Sequence, residues 1–247
     1  MSQVDGRGFE IRSDQPSICF LRAPSLSVIF CQPRFPMFEF LDKAVSECAE
    51  RILKIGGEIV RYEKGPPATA DQIDQVTRRF GGNLPPELLQ LGQYSDEFEF
   101  VWCLEPPDKH PVAGIYLPSG RLSWRISTMQ PLNPDDYGWV EEVIAEGGEG
   151  VWHDKTIIDC ECNGDFLAYT TDANLLHRPV YCAKDGAEPC ELVLGETLED
   201  FYRAWAKIGF LSINRFYEWP RRTGLDKFDV GYFREFEMLL RGDASLG

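Results

Sequence analysis

Residues 66–91 read PPATADQIDQVTRRFGGNLPPELLQL, and this stretch decides the fold. Thr69 is a good helix N-cap, and Gln72 stands three residues on, the spacing of a capping box. Ile73, Val76 and Phe80 then recur on one helical face. Gly81-Gly82 can take the positive φ that ends a helix. Leu84-Pro85-Pro86 opens a second helix, because a proline in a first turn lacks only a donor that has no helical partner anyway. Leu88, Leu89 and Leu91 continue its apolar side. The spacing predicts two short helices joined by a sharp, rigid bend.

Upstream, Phe38, Leu41, Val45, Cys48 and Ile52 mark an amphipathic helix that Gly56-Gly57 stops. Residues 17–31 read as one or two short strands broken at Ala23-Pro24. Downstream the period changes from helical to alternating. FEFVWCL (98–104), VAGIYL (112–117) and RLSWRI (121–126) are strand-like, with Pro118-Ser119-Gly120 as a tight turn between the last two. A short acidic helix is expected at YGWVEEVIAEGG (137–148). TIIDCEC (156–162) and DFLAYTT (165–171) flank Asn163-Gly164, the pair that a two-residue hairpin turn prefers. PVYCA (179–183) and PCELVL (189–194) flank Lys184-Asp185-Gly186 as a second hairpin. Thr197 caps a helix with Leu198, Phe201, Trp205 and Ile208 inward and Gly209 as its stop. A last helix spans about 230–241, with Phe233, Phe236 and Leu240 inward. Helices, a meander of strands, then helices favour an α+β fold, a twisted, mainly antiparallel sheet with helices packed against it.

Composition narrows the function. The chain has 247 residues, 43% of them hydrophobic, and a formal net charge of −15. That charge argues against nucleic acid and anionic membranes as direct partners, since both need a basic footprint. No run approaches the roughly 20 apolar residues of a membrane span. The start, MSQVDGRGFEIRSD, lacks the layout of a signal peptide, so a cytoplasmic location is expected and the eight cysteines are read as reduced thiols. Between Phe80 and Asp154 there are 13 acidic residues and three basic ones, a balance of 3 − 13 = −10. One reading is a solvated acidic surface; the other is a face that meets a basic partner. On the second, the docking residues are Asp96, Glu97, Glu99, Asp135, Asp136, Glu141, Glu142 and Glu146, with Trp139 as an aromatic anchor.

Catalytic signatures are missing. There is no phosphate-cradling GxxxxGK[ST], strand-linked GxGxxG, GxSxG elbow or HExxH. Gly147-Gly148-Glu149-Gly150 carries an acid that repels phosphate. The histidines, His110, His153 and His177, stand singly in loop-like contexts. Cys160, Cys162, Cys182 and Cys190 sit on neighbouring hairpins. A CxC on a strand is not the CxxC knuckle of a structural zinc site, so core thiols are expected, with no metal and no cofactor.

The ordered motifs resemble the SUKH superfamily, known for bacterial toxin-immunity proteins and a fungal cell-wall-synthesis regulator. The resemblance is carried by PPATADQIDQVTRRFGGNLPPELL (66–89), then NGDFLA (163–168), RPVY (178–181) with KDG (184–186), and TLEDF (197–201). Thr77 stands where that family often has Glu, and Gly92–Asp96 replaces its Asn-Gly pair. The similarity covers roughly Pro66 to Phe210, within an expected SUKH-like domain over 61–212; an N-terminal extension (1–60) of short strands plus a helix, expected to pack on the core, and an expected C-terminal helical extension (213–247) lie outside it. The resemblance implies a non-enzymatic domain that binds and neutralises a basic, nuclease-type toxin. A regulatory or scaffold module of the cell-wall-regulator type is the alternative, ahead of a cysteine- or metal-dependent hydrolase.

Overall fold

A computed structural model describes residues 37–104, 118–132, 154–160, 165–171, 177–183, 190–216, 219 and 223–241. The strands expected over 17–31 and 112–117, the helix over 137–148, and the turns at Asn163-Gly164 and Lys184–Gly186 lie outside them.

The fold is α+β. Helix α1 (Phe40–Lys54) buries Leu41, Val45, Cys48 and Ile52, the expected stripe, and ends at Gly56 with φ 86°. Helix α2 (Ala70–Arg79) carries the expected capping box: Thr69 accepts from the Gln72 N–H, and the Gln72 side chain accepts from the Thr69 N–H. The bend after it is made by Gly81 and Gly82 at φ 63° and 91°. Helix α3 (Pro86–Tyr94) starts on proline and buries Leu88 and Leu91. Helix α4 (Leu198–Lys207) is capped by Thr197, whose hydroxyl accepts from the Asp200 N–H. A 3₁₀ turn (Val230–Phe233) leads into α5 (Arg234–Arg241). No helix among the described residues is long and apolar enough to cross a membrane.

The strands form two antiparallel sheets where one was expected. Sheet A has the order β1 (Glu58–Lys64), β2 (Glu97–Cys103), β3 (Ser119–Arg125). Sheet B has the order β4 (Lys155–Cys160), β5 (Phe166–Thr170), β6 (Pro179–Ala183), β7 (Cys190–Val193). Strand β1 has no counterpart in the sequence reading. Ser119 and Gly120, expected in a turn, pair with Cys103 and Trp102 inside β3. Cys160 faces Phe166, whereas a two-residue Asn163-Gly164 turn would put it opposite Leu167.

The helices pack on one face of sheet A, over Phe98, Phe100, Trp102, Leu122 and Trp124. The same core takes in Ile158, Leu167, Tyr169, Tyr181 and Leu192 of sheet B, and residues from Phe38 at one end to Leu240 at the other. Aromatic rings stack through it: Phe98 on Trp124 (4.7 Å), Trp124 on Tyr202 (5.9 Å), and Phe201 on Trp205 (5.0 Å). Each central indole N–H is satisfied by a backbone carbonyl: Trp102 by Gly209, Trp124 by Ser95 and Trp205 by Leu211. The other face of sheet B holds a small second core of Leu132, Phe166, Ala168, Val180 and Cys182. Strand β5 is therefore buried on both faces.

Candidate functional site: the outer face of sheet A

Strand alternation sends one set of side chains away from the helices. On β2 these are Glu97, Glu99, Val101 and Cys103; on β3, Ser119, Arg121, Ser123 and Arg125. Arg61 and Glu63 of β1 stand opposite Val101 and Glu99 and share this face. Among the described residues, no helix covers it.

Glu63 and Glu99 are direct cross-strand partners, a repulsive arrangement when unrelieved. Arg61 relieves it, with Nη2 2.9 Å from Glu63 Oε2 and Nε 2.8 Å from Glu99 Oε2. The hydrogen bond to Glu63, then the Glu99 charge, raise the Arg61 pKa; the same bond lowers that of Glu63. Glu97 pairs with Arg125 across the ladder. Arg121 Nη2 lies 3.1 Å from Oδ1 of the buried Asp159 on β4. The exposed pairs contribute little stability each. Their effect is on the surface, which alternates in sign instead of presenting bare acid.

Between β3 and β4 the face deepens into an open groove of about 470 Å³. Its walls include Glu97, Glu99, Ser123 and Arg125 on one side and Ile157 and Asp159 on the other. Before Ile157 on β4, Pro131 bridges Thr156 and the Leu132 N–H donates to the Lys155 carbonyl. Arg121 spans the groove from β3 to β4, reaching both Asp159 and the Cys160 carbonyl.

Three of the expected docking residues are described. Glu97 and Glu99 are on this face, each engaged by an arginine. Asp96 is turned to the scaffold: Oδ2 accepts from Gln72 Nε2 at 2.7 Å and Oδ1 from the Ser127 N–H at 3.3 Å, tying α2 to the turn after β3. Asp135, Asp136, Trp139, Glu141, Glu142 and Glu146 lie outside the described residues. Arg61, Arg121, Arg125, Ser123 and Asp159 were not singled out in the sequence. The alternation in 119–125 was legible, but the cross-strand partners that give it meaning were not.

Other polar groups brace the interior. Glu87 accepts from the Leu198 N–H at the start of α4 and from the Tyr169 hydroxyl, joining α3, α4 and β5. Tyr181 donates to Asp165 Oδ2 at 2.6 Å. His177 stacks on Tyr169, with its Nδ1 3.0 Å from the Thr170 carbonyl. His110, His153 and Cys162 lie outside the described residues. Cys182 is buried in the second core and Cys160 is exposed, on strands separated by β5. Among the described residues, no three metal-ligating side chains come together.

Cys48 faces the α4–α5 side of α1, with its Sγ 3.5 Å from the Gly209 carbonyl. Burial pushes its thiol from the ordinary 9.0 up to about 12, outweighing the opposite pull of Arg51. A raised pKa favours the neutral thiol, so this contribution to stability is present below pH 9 and is lost as pH climbs from 9 towards 12. At pH 8 the folded chain holds about a thousandfold less Cys48 thiolate than an unperturbed cysteine would. Iodoacetamide at that pH is expected to alkylate Cys160 rapidly and Cys48 only on unfolding. Peptide mass spectrometry showing equal native rates would refute the assignment.

The chain matches no family model, no curated protein and no solved structure.

Proposed function

We propose that the chain is a non-enzymatic protein-binding domain that neutralises a basic toxin domain, of nuclease type. The observation that carries the binding part is the outer face of β1–β3. It is a broad, charged sheet surface that no described helix covers, with an open groove along its edge rather than a deep, water-excluding pocket. The choice of a toxin rests on the SUKH-like order of motifs and on the acid-rich stretch over 80–154, which suits a partner that is basic where it handles phosphate.

The test is recovery and titration. The full chain, tagged and expressed in cells of its source, is captured, and co-purifying proteins are identified. Each is then purified and titrated by calorimetry at low and high salt. A basic partner with hydrolytic activity that the chain inhibits is expected. Its affinity should fall at least about tenfold as salt screens the approach. A neutral or acidic partner with salt-independent binding would favour the scaffold role. Inhibition of no recovered activity would overturn the toxin reading.

A further inference from the structure

Strand β1 stands at the edge of sheet A, and both of its ends run on into described residues. The Gly65 N–H donates to the Glu97 carbonyl at 2.7 Å, so residue 65 turns its backbone to β2. Alternation gives Glu63 and Arg61 the same orientation and turns the N–H and C=O of Tyr62 and Lys64 outward. Among the described residues, nothing pairs with these outward groups. Apolar side chains also stand uncovered here, Tyr62 at 53% and Val60 at 48% exposure. Tyr62 lies on the helix side of the sheet, edge-on to Phe98 at 5.9 Å and to Phe100 at 6.3 Å. Sheet edges are commonly guarded by a bulge or by a lysine. In β1 the bulge is confined to the register shift between Ile59 and Arg61. The Lys64 ammonium is drawn aside, held by both Asp42 oxygens at 2.7 and 2.8 Å and seated 4.0 Å over the Tyr94 ring. Residues 61–64 therefore present a regular edge that neither device guards.

We propose that β1 pairs antiparallel with β1 of a second copy of this chain, about a two-fold axis through Tyr62, joining two three-stranded sheets into one of six strands. Charge chooses both the occupant and the register. In this pairing Tyr62 meets Tyr62 and exchanges both main-chain hydrogen bonds with it. Arg61 of each copy then stands directly opposite Glu63 of the other, at the closer, non-hydrogen-bonded position. Opposite charges so placed attract, and they make the strand complementary to its own copy. An axis through Arg61 would set Arg61 against Arg61, and an axis through Glu63 would set Glu63 against Glu63; both repel. Arg61 can serve both chains, since Nε binds Glu99, Nη2 binds Glu63 and Nη1 has no partner among the described residues. The two Tyr62 rings, side by side, cover each other's exposed edge. The outer face of each sheet A stays open, so a dimer carries two such faces next to one another. The pairing is independent of the partner proposed above, and its failure would leave the protein-binding reading standing.

The full chain is followed by sedimentation velocity from about 1 μM to about 1 mM, because one short strand pair is a small contact and is expected to hold with a dissociation constant on the order of 100 μM. Arg61→Glu and Glu63→Arg each set like charges opposite one another twice per dimer. Each variant alone should self-associate at least about tenfold more weakly than wild type. Mixed in equal amounts, the two variants restore opposite charges at both pairs, and association should return to within about threefold of wild type. Amide exchange by NMR in wild type needs no variant. The Tyr62 and Lys64 amides should exchange about fivefold more slowly at the highest concentration than at the lowest, while the Glu63 amide, bonded within the chain, stays constant.

Wild type that stays monomeric up to about 1 mM overturns the proposal. So do single variants that associate as wild type does, or a mixture that stays monomeric while both variants keep the wild-type circular dichroism. If a variant fails to fold, the wild-type exchange decides alone. Association that leaves Tyr62 and Lys64 unprotected would put the contact elsewhere and overturn the β1 edge. A Tyr62 amide protected equally at every dilution would make another part of the same chain the occupant and overturn the second copy.

Discussion

Trp205→Ala is expected to cost about 3–5 kcal/mol, a large share of the roughly 5–15 kcal/mol that holds a domain folded. The indole is fully buried and lies where three elements meet. It stacks on Phe201 at 5.0 Å and meets Phe210 and Phe216 edge-on at 5.9 and 6.1 Å. Its N–H donates to the Leu211 carbonyl at 2.7 Å. That bond holds the segment 210–212 which lines the edge of β3, so truncation removes ring contacts and orphans a carbonyl at a sheet junction. Trp205→Phe separates the two losses. It keeps most of the ring and leaves only the carbonyl unsatisfied, for about 1–3 kcal/mol. Urea unfolding read by circular dichroism measures both; an alanine cost below about 1 kcal/mol would show that the core does not depend on this ring.

What the sequence disclosed follows from how local each signal is. The α1 stripe, the Thr69–Gln72 capping box, the glycine bend and α4 are set by residues within four positions of one another, and all are present. Strand β1 escaped notice because EIVRYEK is exposed along almost its whole length, so no apolar alternation marks it. The division into two sheets depends on contacts distant in sequence. The segment 210–212 occupies part of the β3 edge, and Arg121 on β3 reaches Asp159 on β4. The partners of Glu97 and Glu99 were hidden for the same reason. Glu99 meets Arg61 and Glu97 meets Arg125 only once the strands are in register. A count of charge along the chain sees the carboxylates but not the guanidinium groups folded onto them.

Gly120 gives the second large effect, and it explains why a glycine that looks like a turn residue stands inside a strand. Its backbone needs no left-handed conformation; the constraint is space. A Cβ here would lie 2.1 Å from Trp102 Nε1, 2.4 Å from Cε2 of the same ring and 2.5 Å from the Phe210 carbonyl oxygen. None of these yields cheaply. The Trp102 ring is fully buried, stacks on Phe236 at 5.8 Å and donates its N–H to the Gly209 carbonyl at 2.7 Å. Phe210 is held by the hydrogen bond from the Arg121 N–H to its carbonyl. Gly120→Ala must therefore displace the indole, breaking a buried hydrogen bond, or push the 210–212 segment off β3. Overpacking together with the lost bond comes to about 3 kcal/mol or more. The cause is separable from a general intolerance of β3 by a double-mutant cycle with Trp102→Phe, which removes the atoms nearest the new methyl. The single variants should each be destabilised. The pair should be more stable than their sum by at least about 1 kcal/mol, because the methyl then enters space the indole has left. Additive costs, or a Gly120→Ala variant within about 0.5 kcal/mol of wild type, would mean that the close approach of Trp102 does not dictate glycine at this position.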